Sequence, residues 1–454
     1  MPAPIHPFPA IKDLGGVEMK NIIRLTMVVA CIVLVGGGFY LKGIMDGRVG
    51  SELPLVAEAE AAGGVVKAPN TPAPDRYVYY PGTEKLAKGE VRVIACGTGM
   101  PDQRRGQASA CFLFEFGNGE KLLFDLGTGA MRNISALMIP YQYLTKVFLS
   151  HLHTDHWGGL ASLWAGGWTA GRPVPLEVWG PSGLTPDMGT KYAVEHFMKS
   201  NNWDYQTRAY KITPVPGQIN AHEFNYKGIN EVIYQESGIT VRSIPAIHAG
   251  DGPVSFIIEY KGLKMVFGGD TSPNKWFVKY ARNADFVIHE VFIGPELFVV
   301  YGNQPPQLGW RACCEFHTSG QAFGKIMSEI KPRHAVAYHF MNEEGTRYSL
   351  YDNIRETYDG PLSMATDMMV WNITKDKITE RMAVSPDNSW AVPGTAMQPP
   401  PEKGRPSPMS DFIKSGEWGP AFNAQNRMLD EHAEKYNLQD QDWRKQKPWY
   451  EPTK

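Results

Sequence analysis

Cysteine is scarce in this chain: five residues in 454, with no Cys-x-x-Cys pair. A disulfide framework or a thiolate metal clip is therefore not indicated. Cys31 lies in an apolar run and Cys313-Cys314 are adjacent, while Cys96 and Cys111 fall on neighbouring predicted strands and could pair only in an oxidising compartment. An excess of one charge sign is also missing. Forty-five Lys and Arg stand against 47 Asp and Glu, a formal net charge of −2, so nothing invites nucleic acid or an anionic bilayer. No Gly-x-Ser-x-Gly occurs, and neither Cys96 nor Cys111 sits in a catalytic frame, which argues against a covalent nucleophile.

What is present is histidine in an unusual concentration. His151-Leu152-His153-Thr154-Asp155-His156 packs three imidazoles and a carboxylate into six residues, straight after the apolar run Val147-Phe148-Leu149. Alternation puts His151, His153 and Asp155 on one side; His156 joins them only if the backbone turns, which Gly158-Gly159 permits. Imidazole nitrogens and carboxylate oxygens suit zinc and similar ions, and the density suggests two adjacent metals. Further strand ends supply more donors. Val254–Tyr260 and Lys264–Phe267 read as two strands joined at Lys261-Gly262. His248 precedes the first, and Gly268-Gly269-Asp270 closes the second. Ala335-Val336-Ala337-Tyr338 is a short apolar strand ending in His339. Asp270 follows two glycines, where backbone can approach a ligand closely, and could bridge two ions.

In this order the residues resemble the metallo-β-lactamase superfamily, starting from a strand that ends at Asp125. The resemblance implies a four-layer αββα sandwich in the α/β class. It also implies two Zn2+ ions, with Mn2+ or Fe2+ as substitutes. His151, His153 and His248 would hold the first ion and Asp155, His156 and His339 the second, with Asp270 between them. Asp125 would orient a ligand imidazole. His289-Glu290-Val291 and His317-Thr318-Ser319, the latter leading into a helix over Gln321–Ile330, are similar to the ribonuclease Z and arylsulfatase-like branch. There Glu290 and His317 would protonate the leaving group. Tyr77–Thr83, Trp179–Gly183, Ala246–Ala249, Asp251–Ser255, Pro273–Phe277 and Tyr358–Leu362 resemble the guanitoxin-biosynthesis metallo-hydrolases, over roughly residues 75–384.

These features predict a dinuclear-zinc metallo-hydrolase that cleaves a small-molecule phosphodiester or sulfate ester with activated water, Asp155 orienting it or accepting its proton. A ribonuclease Z-like endoribonuclease is the alternative, and a membrane-tethered metal-binding scaffold the non-enzyme one. Residues 160–243, where ribonuclease Z carries its tRNA-binding arm, show no basic run, so nucleic acid is not expected as a partner. Trp164, Trp168, Trp179 and Trp203 in that stretch could wall a pocket, although ordinary packing accounts for most such residues. A homodimer is possible.

The expected domains are an N-terminal segment (1–49), a flexible Ala/Gly/Glu/Pro linker (50–74), the catalytic domain (75–385) and a Pro-rich tail (386–454) with a helix near 423–436. Leu25–Leu41 is an uncharged, mainly apolar run of seventeen residues flanked by Lys20, Arg24, Lys42 and Arg48. It predicts a membrane-anchored enzyme on the periplasmic or extracytoplasmic side, or else a cleaved signal and secretion. Residues 290–315 read as a loop at the site mouth, a lid or dimer contact.

Overall fold

The computed structural model describes residues 77–445, apart from residue 103 and several positions between 390 and 404. Two sheets form the frame. The first has nine strands in the order β1 (Val78–Tyr79), β16 (Ile378–Ala383), β15 (Met369–Ile373), β2 (Val91–Gly97), β3 (Cys111–Phe116), β4 (Lys121–Phe124), β5 (Lys146–Phe148), β6 (Leu176–Pro181) and β7 (Ile219–Phe224). The second has seven: β14 (Leu362–Met364), β13 (His334–Tyr338), β12 (Phe286–Glu290), β11 (Leu263–Phe267), β10 (Val254–Tyr260), β9 (Ile239–Pro245) and β8 (Glu231–Glu236). Each sheet has an antiparallel stretch, from β16 to β4 in the first and from β8 to β11 in the second, and a parallel one, from β4 to β7 and from β11 to β14; β1 adds to β16 as a further parallel edge.

Period-two side-chain alternation divides the apolar residues between two environments. On β2 and β3, Val91, Val93, Ala95, Phe112, Phe114 and Phe116 point into the space between the sheets. Ile94, Cys96, Cys111 and Leu113 point outward, into a core shared with helices Ala130–Ala136, Leu160–Thr169 and Thr190–Ser200. The second sheet does the same. Phe256, Ile258 and Tyr260 face inward, whereas Ile257, Val266 and Val287 face helices Lys275–Ala281, Gly320–Ile330 and Glu344–Arg355. The expected layering of helices outside two packed sheets is what the apolar patterning produces. Between the sheets, Phe112 meets Tyr338 edge-on at 5.1 Å, and Phe148 stacks on Trp179 at 4.8 Å. The β10–β11 hairpin turns at Lys261 (φ 48°) and Gly262 (φ 81°), a left-handed pair that matches the strand twist.

Several expectations change. The alternation drawn through the histidine motif stops at His153, because Thr154–Trp157 is a helical turn. Residues 290–315 are not a loop: they hold helices Pro295–Gly302 and Pro306–Arg311 and a π turn at Ala312–Phe316. Their prolines stand at helix starts, where the missing N–H costs nothing, rather than marking irregular chain. Trp164 and Trp168 are buried and donate to the carbonyls of Gly217 and Thr213, and Trp203 is 79 % exposed, so these three are packing or surface residues. Cys96, Cys111, Cys313 and Cys314 are free thiols. Among its described residues the tail carries three α-helices, Asp411–Lys414, Gly419–Ala424 and Asn426–Tyr436, and two 3-10 turns, Gln439–Gln441 and Trp443–Lys445. No helix among the described residues is long and apolar enough to cross a membrane; the apolar run 25–41 and the linker lie outside the described residues.

Candidate metal centre

The candidate ligands come from the carboxyl ends of parallel strands in both sheets. His151 and His153 follow β5, Asp270 follows β11, Glu290 ends β12 and His339 follows β13. His248 lies in the loop between β9 and β10. Gly269 (φ 60°) makes the approach possible, since a Cβ there would lie 2.6 Å from that of Ser150.

Two groups result. His151, His153 and His248 form one; Asp155, His156, Asp270 and His339 form the other, with the donor atoms of each within 4.8 Å of one another. Asp270 Oδ2 stands between them, 3.3 Å from His156 Nε2, 3.2 Å from His339 Nε2 and 3.8 Å from His248 Nε2. Asp155 Oδ2 is 3.4 Å from His156 Nε2 and 3.2 Å from His339 Nε2. The second group is buried, whereas His153 is exposed and His248 half-buried, so the site opens on their side.

Three of the imidazoles are oriented from behind. His156 Nδ1 lies 2.6 Å from Asp125 Oδ2, which holds a proton on Nδ1 and turns Nε2 toward the carboxylates. Asp125 also accepts from the Ser150 N–H and hydroxyl, each at 2.7 Å, and that hydroxyl is 3.0 Å from His151 Nδ1. His248 Nδ1 donates to the Phe316 carbonyl at 2.8 Å, turning Nε2 toward His153 Nδ1 at 3.1 Å.

The residues fit divalent metal. His151 Nε2, Asp155 Oδ1, His156 Nε2, Asp270 Oδ1 and His339 Nδ1 are buried polar atoms without a hydrogen-bond partner. Buried polar groups normally have one, and five of the twelve such atoms among the described residues belong to the candidate ligands. The charges agree. Burial opposes ionisation of Asp155 and Asp270, yet the surrounding imidazoles outweigh it and hold both carboxyls below their usual range. Burial and the neighbouring His156 push His151 well below the ordinary imidazole value, the neutral form a metal requires.

On the flank, His317 Nδ1 is 3.1 Å from Glu290 Oε1, and its ring stacks on Phe292 at 4.4 Å. Glu290 Oε1 also accepts the Thr271 and Thr318 N–H groups, each at 3.2 Å. Burial opposes charge on His317, but Glu290 outweighs it and raises the imidazole above its ordinary value. The ring lies 4.8 Å from that of His248 and 5.3 Å from that of His339. All nine residues expected from the sequence thus converge on one place. Ser150, Thr271 and the Phe316 carbonyl were not foreseen; a lone Ser, a lone Thr and a backbone oxygen carry no pattern to find.

A cavity of about 240 Å³ adjoins His151, His153 and His248, lined also by Leu152, Met188 and Asp251. A larger cleft, about 790 Å³, lies along helices Thr190–Ser200 and Asn202–Ala209 and holds none of the converging donors. Of the two, the smaller cavity is the one that the converging donors border.

A family model described as the metallo-beta-lactamase superfamily matches residues 104–282. The chain carries a metallo-beta-lactamase superfamily domain and is a metal-dependent hydrolase acting on ester bonds. Within that class it is similar to ribonuclease Z. The protein of that name from Mycobacterium marinum is 27 % identical over 238 residues, 51 % of this chain and 79 % of the relative. The Mycobacterium bovis ribonuclease Z is 28 % identical over 236 residues, 51 % and 78 % of the two chains. Among solved structures, human tRNase Z, short form, gives a TM-score of 0.45 at 19 % identity, covering 62 % of this chain and 98 % of that one.

The two Mycobacterium relatives support the ribonuclease Z side of the resemblance and not the arylsulfatase side. They also overturn the membrane-anchored, extracytoplasmic placement. The aligned relatives are ribonucleases Z, and no described helix is long and apolar enough to cross a membrane.

Proposed function

We propose that this chain is a ribonuclease Z-like phosphodiesterase that works with two divalent ions, zinc first among them, in a catalytic domain spanning residues 75–385. The observation that carries the reading is the pair of ligand groups sharing Asp270, with Glu290 and His317 at their edge. The ribonuclease Z relatives support it, and they weaken the expectation that nucleic acid is excluded.

His151, His153 and His248 would hold one ion, and Asp155, His156 and His339 the other, with Asp270 shared. Such ions supply Lewis-acid activation of water and neutralise charge at the scissile phosphoryl group. The chain's own groups do the rest. Asp155, with Oδ1 free of any hydrogen bond, orients the attacking water and accepts its proton. Glu290 fixes the His317 proton on Nδ1 and favours the imidazolium, so Nε2 can donate to the departing oxygen.

A second reading, a small-molecule ester, has an observation of its own: no Lys or Arg lines the cavity beside His153 and His248. The deciding experiment assays purified protein on pre-tRNA, an aryl phosphodiester and an aryl sulfate, each repeated with Asp155→Ala and Asp270→Ala. Variant-sensitive cleavage of pre-tRNA and of the phosphodiester is expected. Turnover of the small esters with pre-tRNA left intact would favour the second reading. Turnover that both variants retain would overturn the site assignment.

A further inference from the structure

His339 holds a backbone conformation rarely adopted by a residue with a side chain, φ 71°, while its Nε2 meets both Asp155 and Asp270. Something must hold it there. Its N–H donates to the Thr98 carbonyl at 2.9 Å. Thr98 in turn is fixed by Asp367, whose Oδ1 accepts the Thr98 N–H (3.0 Å) and hydroxyl (2.8 Å). The other oxygen, Oδ2, accepts the Ala108 N–H (2.7 Å) and Asn133 Nδ2 (2.8 Å). Four donors on one carboxylate fill its acceptor capacity. Gln107 closes the same linkage from beyond His339: its Nε2 donates to the Phe340 carbonyl at 2.9 Å, and its Oε1 accepts the Asn342 N–H at 3.2 Å.

Asp367 lies between β14 and β15, in the short crossing from the second sheet to the first. Its partners belong to the loop joining β2 to β3 and to helix Ala130–Ala136 of the first sheet, while His339 follows a strand of the second. It thus ties the first sheet's loop to a candidate ligand carried by the other sheet.

We infer that Asp367 is a positioning residue: through Thr98 it sets the backbone of His339, and thereby the ion position made by Asp155, His156, Asp270 and His339, but not the one made by His151, His153 and His248. This rests on the two-ion reading above. A clamp that merely stabilised the fold would lower the melting temperature without distinguishing the two positions.

The test strips the full chain with a chelator and titrates Zn2+ against a chromophoric competitor, with visible spectra of the Co2+ form as a second readout. Wild type should take two ions. Asp367→Ala should weaken one of them roughly 10–100-fold, the range for loss of a residue that orients a metal ligand, and leave the other within about twofold. Asp367→Asn, which keeps one oxygen for Thr98, should fall between. Should Asp367→Ala not fold, Asp367→Asn and Thr98→Val preserve volume and carry the test, with a loss of roughly 10-fold or less confined to one ion. Two ions bound by every variant at wild-type affinity, with only the melting temperature lowered, would overturn the inference and leave the two-ion reading intact. One ion in the wild type would overturn that reading and this inference with it.

Discussion

Removing the metal should destabilise the folded chain, and the size of the effect can be worked out. Seven donor residues converge in two groups, and five of their buried polar atoms have no partner within the protein. A ligand that binds only the folded state stabilises it by about 4.1 kcal/mol at a free concentration 1,000 times its Kd. Two ions at that saturation contribute about 8 kcal/mol. A domain of 150–250 residues shifts its melting temperature by roughly 2–4 °C per kcal/mol, and a longer one by less. Chelation should therefore lower Tm by on the order of 10 °C, reversed by zinc and unaffected by magnesium, which suits oxygen-only sites. Scanning fluorimetry across a zinc titration, with metal content by emission spectrometry, measures both quantities. A Tm that chelation leaves within about 2 °C would refute the reasoning, because the convergent donors would then be satisfied without metal.

The proton-donor assignment predicts a dependence on the leaving group. His317→Ala should cut kcat by roughly 10²–10⁴ for substrates that expel an alkoxide, and by far less for p-nitrophenyl esters, whose leaving group needs no proton. Equal losses on both, in steady-state assays of the two substrates, would reassign His317 to binding. Phe256 is fully buried between the sheets, against Phe124 at 5.5 Å and Phe224 at 6.3 Å. Phe256→Ala should lower stability by about 3–5 kcal/mol in urea unfolding, and a loss below about 1 kcal/mol would contradict a tightly packed seam.

The fold and the donors were legible to different depths, for physical reasons. Period-two alternation in Val91–Ala95 and Val254–Tyr260, with the turn at Lys261-Gly262, is local, so those strands could be placed from the sequence. The histidine motif was legible because six residues carry four metal donors. The helical turn at Thr154–Trp157 was not. It exists because Leu126 N donates to the His156 carbonyl at 2.7 Å and Gly159 N to the Leu126 carbonyl at 2.8 Å, contacts some thirty residues apart in the chain. Helices Pro295–Gly302 and Pro306–Arg311 were hidden by their own prolines, which signal a helix start and a loop equally well. The supports of the site were the least legible part. Ser150, Thr271 and Asp367 act through backbone N–H groups or through residues distant in sequence, and single polar residues leave no period to detect.

The origin of the ligands explains why this site depends on the whole fold. His151, His153, Asp155 and His156 belong to the first sheet's loops, whereas His248, Asp270 and His339 belong to the second. Neither ligand group is complete on one sheet. His248 completes the first group from across the seam, and Asp155 and His156 meet Asp270 and His339 across it in the second. On the proposed two-ion reading, metal binding and sheet packing would be one equilibrium: whatever separates the sheets pulls the donors apart, and ions held by both groups would hold the sheets together. The aromatic contacts of Phe112, Phe124 and Phe148 across and along the seam lie directly behind the strand ends that carry Asp125 and the histidine motif. A packing defect there should be felt at the metal, even though no atom of the defect touches a ligand.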